Sequence, residues 1–527
     1  MSLFDKLNRN DVENVLNKVV KNSDSIIRKT RKLKRDPKLF FKDSYEKRKK
    51  QMLAKIPVKY EGKNQFTVVS AVYNVEKYLD EYFISLVNQS LDFKKHIQLI
   101  LVDDGSTDRS AKIIKKWQKK YPKNIHYYYK ENGGQASARD YGLDYIKTEW
   151  CTFIDPDDFV DNDYFRVIDE TIQSEKDLWM VSCNLIYYYE QSKQYKDNHP
   201  QNYKFRQKIS FFDVKDQYQY IQLSVSLAIL NTKIIQENGL RFDTRIKPSF
   251  EDATFMMNYA LALHKKQGRV AFVKDAKYYY RKRENGTSTL DTGWIKPTGY
   301  DEVLRYGCLQ TLKNYHESLG YVPRFIQNSV MYYHIWQIKG IVNQDNAVDF
   351  LTTEQKTEYL SLLRQIFEYI DEEAIDGFNL AGTWMFEKAG MLNLYKNQAL
   401  RADIQIGFIE KYDSNKNEVL LYYFAPKDSM AVFYDNGRII QPSHQKILRH
   451  SFLEEAFVYE YRYWLPLSDR GDISFEVDGN PTKIGFAGKH IRVPITTKQI
   501  VDYYKAQAKY PNVNDTWIIM YRDVQAD

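Results

Sequence analysis

The sequence predicts an α/β protein of several units: an open, mostly parallel sheet with helices between its strands, then a helical segment, then an all-β unit. Three observations predict it. The 527 residues exceed what one ordinary hydrophobic core organises, so three or four units are expected. From Gln65 short apolar runs alternate with helical stretches, which is the pattern of βαβ units. Beyond about residue 402 the pattern turns to short alternating strands joined by Asp-Asn-Gly and Asp-Gly turns, which argues for a sandwich or small barrel.

Taken in order, residues 1–60 read as a helical, basic leader. Leu3, Phe4, Leu7, Val12, Val15, Leu16, Val19 and Val20 approximate an apolar helical stripe, and Pro37 interrupts the Lys/Arg-rich stretch that follows. Residues 61–295 form the α/β unit. In it Phe66 to Val72, Gln98 to Val102, Ile125 to Tyr129 and Trp150 to Ile154 read as strands. Val75 to Asn88 and Ser110 to Lys120 read as helices, with a further helix start at Gly133 and Gly134. Residues 296–400 carry helical periodicity, as in Tyr300 to Tyr315 and Thr353 to Ile370, and no catalytic constellation. Residues 401–510 supply the β unit, with strands over Ile404 to Glu410, Val419 to Phe424, Ala431 to Tyr434, Ala456 to Tyr463 and Ile473 to Val477.

Composition excludes several classes. Apolar residues make up 43% and charged residues 28%, which is ordinary for a folded protein and not for a disordered or fibrous one. Tyr dominates an aromatic share of 15%; its polar tip suits sugar-facing clefts, and an AT-rich genome would explain it equally well. The net charge of +8 is local. Arg28 to Lys50 hold twelve basic residues against Asp36, Asp43 and Glu46, so the remaining chain is nearly neutral. That excludes a general nucleic-acid coat, and no nucleic-acid partner is expected. Three cysteines (Cys151, Cys183, Cys308) without a CxxC pair exclude a disulfide scaffold and a structural zinc site. No apolar run approaches the roughly 20 residues of a membrane span, so a cytoplasmic protein is expected. Residues 1–50 read either as a helix packed on its own protein or as an anchor to the inner face of the cytoplasmic membrane through the apolar stripe and polybasic stretch.

Open α/β sheets bind ligands at the carboxyl ends of their strands, and those ends are polar here. The first strand ends in Ala71-Val72-Tyr73-Asn74, the second in Asp103-Asp104-Gly105-Ser106, and the fourth in Asp155-Pro156-Asp157-Asp158. A lone D-x-D is common in turns and caps; three polar strand ends in order are not.

These residues resemble the nucleotide-binding half of family-2 glycosyltransferases with the GT-A fold. The resemblance runs through VVSAVYNVEKYLDEYFISLVNQS, LILVDDGSTDRS, ENGGQASARDYGL and CTFIDPDDF, continues in Pro248-Ser249-Phe250-Glu251-Asp252-Ala253-Thr254-Phe255, and ends in Tyr279-Tyr280-Arg281-Lys282-Arg283 with Ser288. It covers about 66 to 290. It implies an inverting, metal-dependent transfer of a sugar from a nucleotide diphosphate, with a UDP-sugar expected, to a growing surface polymer of capsule or teichoic-acid type. The acceptor would be a polysaccharide or lipid-linked glycan. Asp157 would ligate Mn²⁺ or Mg²⁺, and Asp155 would hold the ribose or a metal-bound water. Asp158 reads as a helix-start cap. Ala71, Tyr73 and either Asp103 or Asp104 would receive the nucleoside. Asn132, Gly133, Gly134 and Arg139 would close over the donor, with Arg139 pairing either an acid of the metal loop or the donor. Arg281, Arg283 and Ser288 would offset charge on the diphosphate. Asp252 would be the base, with Glu251 orienting it or touching the acceptor, and an ion pair of Asp252 with Lys247 or Arg245 is the competing account. His264 reads as structural.

Residues 516–527 resemble the first strand and loop of polyol-phosphate transferases, so residues 511–527 read either as a plain terminal strand or as the start of a further domain. The rival functional class is a carbohydrate-binding scaffold that keeps the fold without turnover. A third, RNA binding through residues 28–50, predicts steeply salt-dependent affinity.

Overall fold

The computed structural model describes residues 59–283, 293–486, 489–491 and 494–509. The predicted leader over 1–60 up to residue 58, Ser288 and the segment 511–527 lie outside the described residues. Both sheets lie within residues 61–527.

The first sheet is built on β1 (Phe66–Val72), β2 (Ile97–Asp104), β3 (Ile125–Lys130) and β4 (Trp150–Phe153). They lie parallel in the order β3-β2-β1-β4. Phe66, Val68, Val69 and Val72 of β1 are all fully buried, the composition expected of a strand covered on both faces. The parallel sense puts the carboxyl ends of β1, β2 and β4 along one edge. Helix Ser110–Lys120 occupies the predicted span. Helix Gln135–Leu143 follows Gly134, whose φ of 89° places it in the left-handed region. A Cβ on Gly142 would stand 2.4 Å from Val69 Cγ1, so only glycine lets this helix lie directly on β1.

Past β4 the sheet turns mixed. β5 (Phe159–Val160), β6 (Leu178–Tyr189), β7 (Gln194–Lys196), β8 (Ile209–Asp213), β9 (Ala228–Asn231) and β10 (Arg269–Lys282) extend it in the order β4-β9-β6-β10-β5. β9 runs antiparallel to both β4 and β6. No helix starts at Asp158: the chain enters β5 there, so this carboxylate is not the cap that its position after Asp157 suggested.

Helix Arg324–Ile341 buries Ile326, Val330, Met331, Ile335 and Ile338 on several faces. Its side chains join one continuous core that runs from Val69 and Phe153 through the helical segment to Phe408, Phe424 and Phe457 of the second sheet. That sheet comprises ten strands from β11 (Ile406–Asp413) to β20 (Ile495–Thr496). It is antiparallel except where β11 pairs β18 (Asn480–Phe486), and it holds a second core around Leu421, Tyr423, Phe475 and Ile484.

Asp376, at the end of helix Glu372–Asp376, is a misfit of this core. Neither carboxylate oxygen has a hydrogen-bond partner, Arg401 Nε stands 3.8 Å from Oδ2, and burial pushes the group up to about 6 against Arg401 and Lys388. A carboxyl raised above its unfolded value is protonated more readily in the folded state, so its destabilising effect grows as pH rises toward 6 and persists above it. Asp376→Asn is therefore expected to raise stability by up to about 2 kcal/mol at pH 7.5 and by almost nothing near pH 4. Urea unfolding at the two pH values checks this.

Candidate active site

A cleft of ≈1960 Å³ opens at the carboxyl edge of the first sheet. Ala71, Tyr73, Asp104, Asn132, Gly133, Gly134, Arg139, Asp155, Asp157, Glu251, Asp252, Arg281 and Arg283 all line it. The residues singled out from sequence thus converge, except Asp103, which lies outside the lining, and Ser288.

Asp103 and Asp104 divide as strand alternation requires. Asp103 is fully buried; it accepts the Ser106 N–H at 2.8 Å and the Tyr127 O–H at 2.8 Å. Asp104 faces the cleft and accepts Lys130 Nζ at 2.7 Å and the backbone N–H groups of Gly133 and Gly134 at 2.9 and 2.8 Å. It thereby pins the loop that starts helix Gln135–Leu143. Asn132 donates to the Asp104 carbonyl at 2.9 Å. Tyr73 stands 52% exposed beside Ala71, an open apolar face at the end of β1.

Arg139 is the centre of the site. Its guanidinium is 2% exposed and meets carboxylates from two other segments: Asp155 Oδ1 at 2.8 Å, Glu251 Oε1 at 3.5 Å, and Asp252 in the shortest contact of the three. Asp252 does not pair with Lys247 or Arg245; Arg245 pairs with Asp243. Glu251 and Asp252 open helix Glu251–Lys266, where the positive end of the helix dipole favours anions. Phe250 before them has φ 81°, a left-handed conformation uncommon for a bulky residue, and its ring packs 4.7 Å from that of Tyr333. Burial and the Asp252 charge push Glu251 up to about 8. Burial also raises Asp252, while Arg139 opposes the rise. At neutral pH Glu251 therefore holds its proton for most of the time, and Arg139 favours the charged form of Asp252 against the burial that raises it.

The loop after β4 is equally tied. Asp155 accepts Gln135 Nε2 at 3.0 Å and Ser226 Oγ at 3.2 Å. Asp157 pairs with Arg283. Asp158 accepts the Tyr278 O–H at 2.7 Å and the Arg281 N–H at 2.8 Å. Burial and the Asp155 charge raise Asp157 despite Arg283. Arg281 commits its guanidinium to Glu81 at 2.5 Å and to the Asp157 carbonyl at 2.7 Å, lying over the rings of Tyr78, Phe159 and Tyr188. Arg283 is the half-exposed one of the two. His264 sits at the far end of its helix, bonded to Tyr321.

Sequence reasoning missed three sets of residues. Gln135 and Ser226 steady Asp155. Tyr187, Tyr189 and Tyr280 form an aromatic wall on β6 and β10. Trp294, Tyr332, Tyr333 and Trp336 bring the helical segment into the cleft. The aromatic excess was the available signal, but it carried no position.

Arg139→Met should leave Asp155, Glu251 and Asp252 without their cation and cost about 3–5 kcal/mol at pH 8. The cost should shrink toward pH 5 as Glu251 and Asp252, both raised by burial, take up protons in the folded state. Denaturant unfolding of both proteins at the two pH values measures it.

The family model for Glycosyl transferase family 2 matches residues 67–232. Among curated proteins, the chain is 28% identical over 424 residues to the Minor teichoic acid biosynthesis protein GgaB of Bacillus subtilis (strain 168), covering 80% of this chain and 43% of that one. It is 29% identical over 334 residues to GgaA of the same organism, covering 63% and 72%. It is 25% identical over 253 residues to the Poly(ribitol-phosphate) beta-N-acetylglucosaminyltransferase TarS of Staphylococcus aureus (strain Mu50 / ATCC 700699), covering 47% and 40%. The chain thus spans less than half the length of the first of these relatives. A crystal structure of S. aureus TarS 1-349 with UDP-GlcNAc aligns with a TM-score of 0.48 at 19% identity, over 63% of this chain and 87% of that one. The sheet order, the polar strand ends and the family match agree on the GT-A fold, and residues 67–232 are a family 2 glycosyl transferase domain.

Proposed function

We propose that this protein transfers a sugar, with inversion, from a UDP-sugar to a growing teichoic-acid-like surface polymer. The observation that carries the reading is the convergence of Asp104, Asp155, Asp157, Glu251 and Asp252 on one cleft around Arg139. Curated relatives named for teichoic-acid biosynthesis support the product class. The nucleoside would lie on Ala71 and Tyr73 with Asp104 beneath it, and the diphosphate near Arg283.

Asp252 would take the proton from the acceptor hydroxyl, since it makes the closer contact to Arg139, which favours its charged form, while Glu251 is pushed up to about 8. Glu251, protonated at neutral pH, would donate a hydrogen bond to the acceptor or to Asp252. Arg139 would hold both in place. Asp157 and Asp155 fit a hard divalent cation: two carboxylates two residues apart share one loop and line the cleft. Mn²⁺ or Mg²⁺ held there would neutralise the leaving diphosphate.

Asp252→Asn is expected to lower turnover by about 10²–10⁴-fold while UDP binding persists, measured by UDP release and by calorimetry. Turnover retained in that variant overturns the assignment of the base. The wild-type rate should rise with pH as Asp252 ionises and decline near pH 8, where a second negative charge competes for Arg139. In Glu251→Gln the alkaline decline should disappear while the acid limb remains.

Asp157→Ala should abolish Mn²⁺-stimulated donor hydrolysis, and EDTA should silence the wild type. Equal wild-type turnover in EDTA would sink the metal assignment. Absence of UDP release with every donor and acceptor pair, together with retained glycan binding, would favour the scaffold reading instead.

A further inference from the structure

The cations of the cleft fall into two groups. The three arginines are each paired with carboxylates. Lys204, Lys247, Lys282 and Lys296 line the same cleft, yet among the described residues none has a carboxylate oxygen within 4.0 Å; Lys247 and Lys296 are exposed, whereas Lys204 and Lys282 are not. Lys204 is the unusual one. It is only 3% exposed, on the short turn Asn202–Phe205, and its ammonium donates to two neutral acceptors, Gln201 Oε1 at 2.8 Å and the Ile221 carbonyl at 2.7 Å. The faces of Phe272 and Phe205 lie 5.4 and 5.8 Å away. A buried ammonium without an anion is costly unless something brings one.

His199 marks the same corner of the cleft. Burial, with the charges of Lys204 and Lys282 adding to it, lowers His199 to about 4, so the imidazole is neutral at neutral pH. Burial likewise lowers Lys204 to about 7. Lys282 Nζ lies 4.8 Å from the Tyr187 ring, and Tyr187 faces His199 at 5.7 Å. Cation, neutral imidazole and aromatic face thus stand together on a wall that the carboxylates of Asp155, Asp157 and Asp252 do not neutralise.

We propose that Lys204 and Lys282 form a subsite for a phosphodiester group of the acceptor, with Tyr187 carrying the adjoining polyol carbons. The proposal rests on the transferase reading above and narrows its acceptor to an anionic polymer. Two ammoniums about one imidazole suit an anion that recurs along a chain, because the unit beyond the reacting hydroxyl is then held by charge. The C–H faces of a polyol suit an aromatic ring.

The test uses a synthetic oligo(glycerol phosphate), an oligoglycerol of equal length without phosphate, and an oligogalacturonate. Calorimetry with the whole protein should show the phosphate oligomer binding and the neutral one not binding. Lys204→Met and Lys282→Gln should each weaken that binding about tenfold or more. The Lys282 substitution, at a half-buried position, keeps the test alive if Lys204→Met does not fold. In steady-state assays the wild-type preference for the phosphate oligomer, read as the ratio of kcat/KM values, should collapse in both variants. Equal binding of the neutral oligomer, or phosphate binding that neither variant weakens, overturns the proposal. Lysine-dependent binding of oligogalacturonate as tight as that of the phosphate oligomer overturns the phosphodiester assignment. Loss of the parent reading looks different: no UDP release from any donor refutes the transferase, while oligomer binding still decides the subsite.

Discussion

A guanidinium that is 2% exposed persists in a protein interior only if anions surround it, and Arg139 recruits its anions from two remote segments. Asp155 comes from the loop after β4, and Glu251 and Asp252 from the start of helix Glu251–Lys266. Arg139 itself sits on a helix that Gly142 seats directly on β1. One cation therefore fixes the loop after β4 and the Glu251–Asp252 pair relative to the sheet that would carry the nucleoside. The cost of desolvating this cluster is recovered only if every partner is present. That makes the arrangement a positioning device before any substrate arrives, and preorganised charge is what transfer chemistry requires.

The same electrostatics set the protonation states. Burial and the neighbouring Asp252 charge raise Glu251 to about 8, whereas Arg139 opposes the rise that burial gives Asp252. A different balance holds on the loop after β4, where Asp157 is raised although Arg283 pairs with it. One end of the cleft gathers the carboxylates of Asp155, Asp157 and Asp252, and another wall holds Lys204 and Lys282, which have no carboxylate partner among the described residues.

Local features were legible in the sequence, and contacts between distant residues were not. β1 and helix Ser110–Lys120 stand where periodicity puts them, because a doubly covered strand and an amphipathic helix carry their pattern within a few residues. The polar strand ends were legible for the same reason, and so was the acidic pair at 251 and 252. The antiparallel extension was not. β10 meets β5 with Tyr278 opposite Val160, and its alternation breaks at the irregularity between Val273 and Lys277. Asp158 was misread because a capping carboxylate and a carboxylate that accepts from Tyr278 and the Arg281 backbone look alike in one dimension. Asp252 finds Arg139, 113 residues away, rather than the nearby Arg245, because Arg245 is satisfied by Asp243 two positions along.

The helical segment shows how a region without catalytic residues can still shape a site. Helix Arg324–Ile341 is apolar on several faces because it lies in a core shared by the first sheet and the inner residues of the second. Its remaining positions, Tyr332, Tyr333 and Trp336, face the cleft. Tyr333 also supports Phe250, whose left-handed backbone turns Glu251 and Asp252 toward Arg139. The geometry of the Glu251–Asp252 pair thus depends on packing supplied from beyond residue 232, outside the stretch that matches the family. Conformations as costly as that of Phe250 survive only where surrounding contacts over-determine them. The helical segment therefore has to be counted as part of the site it encloses.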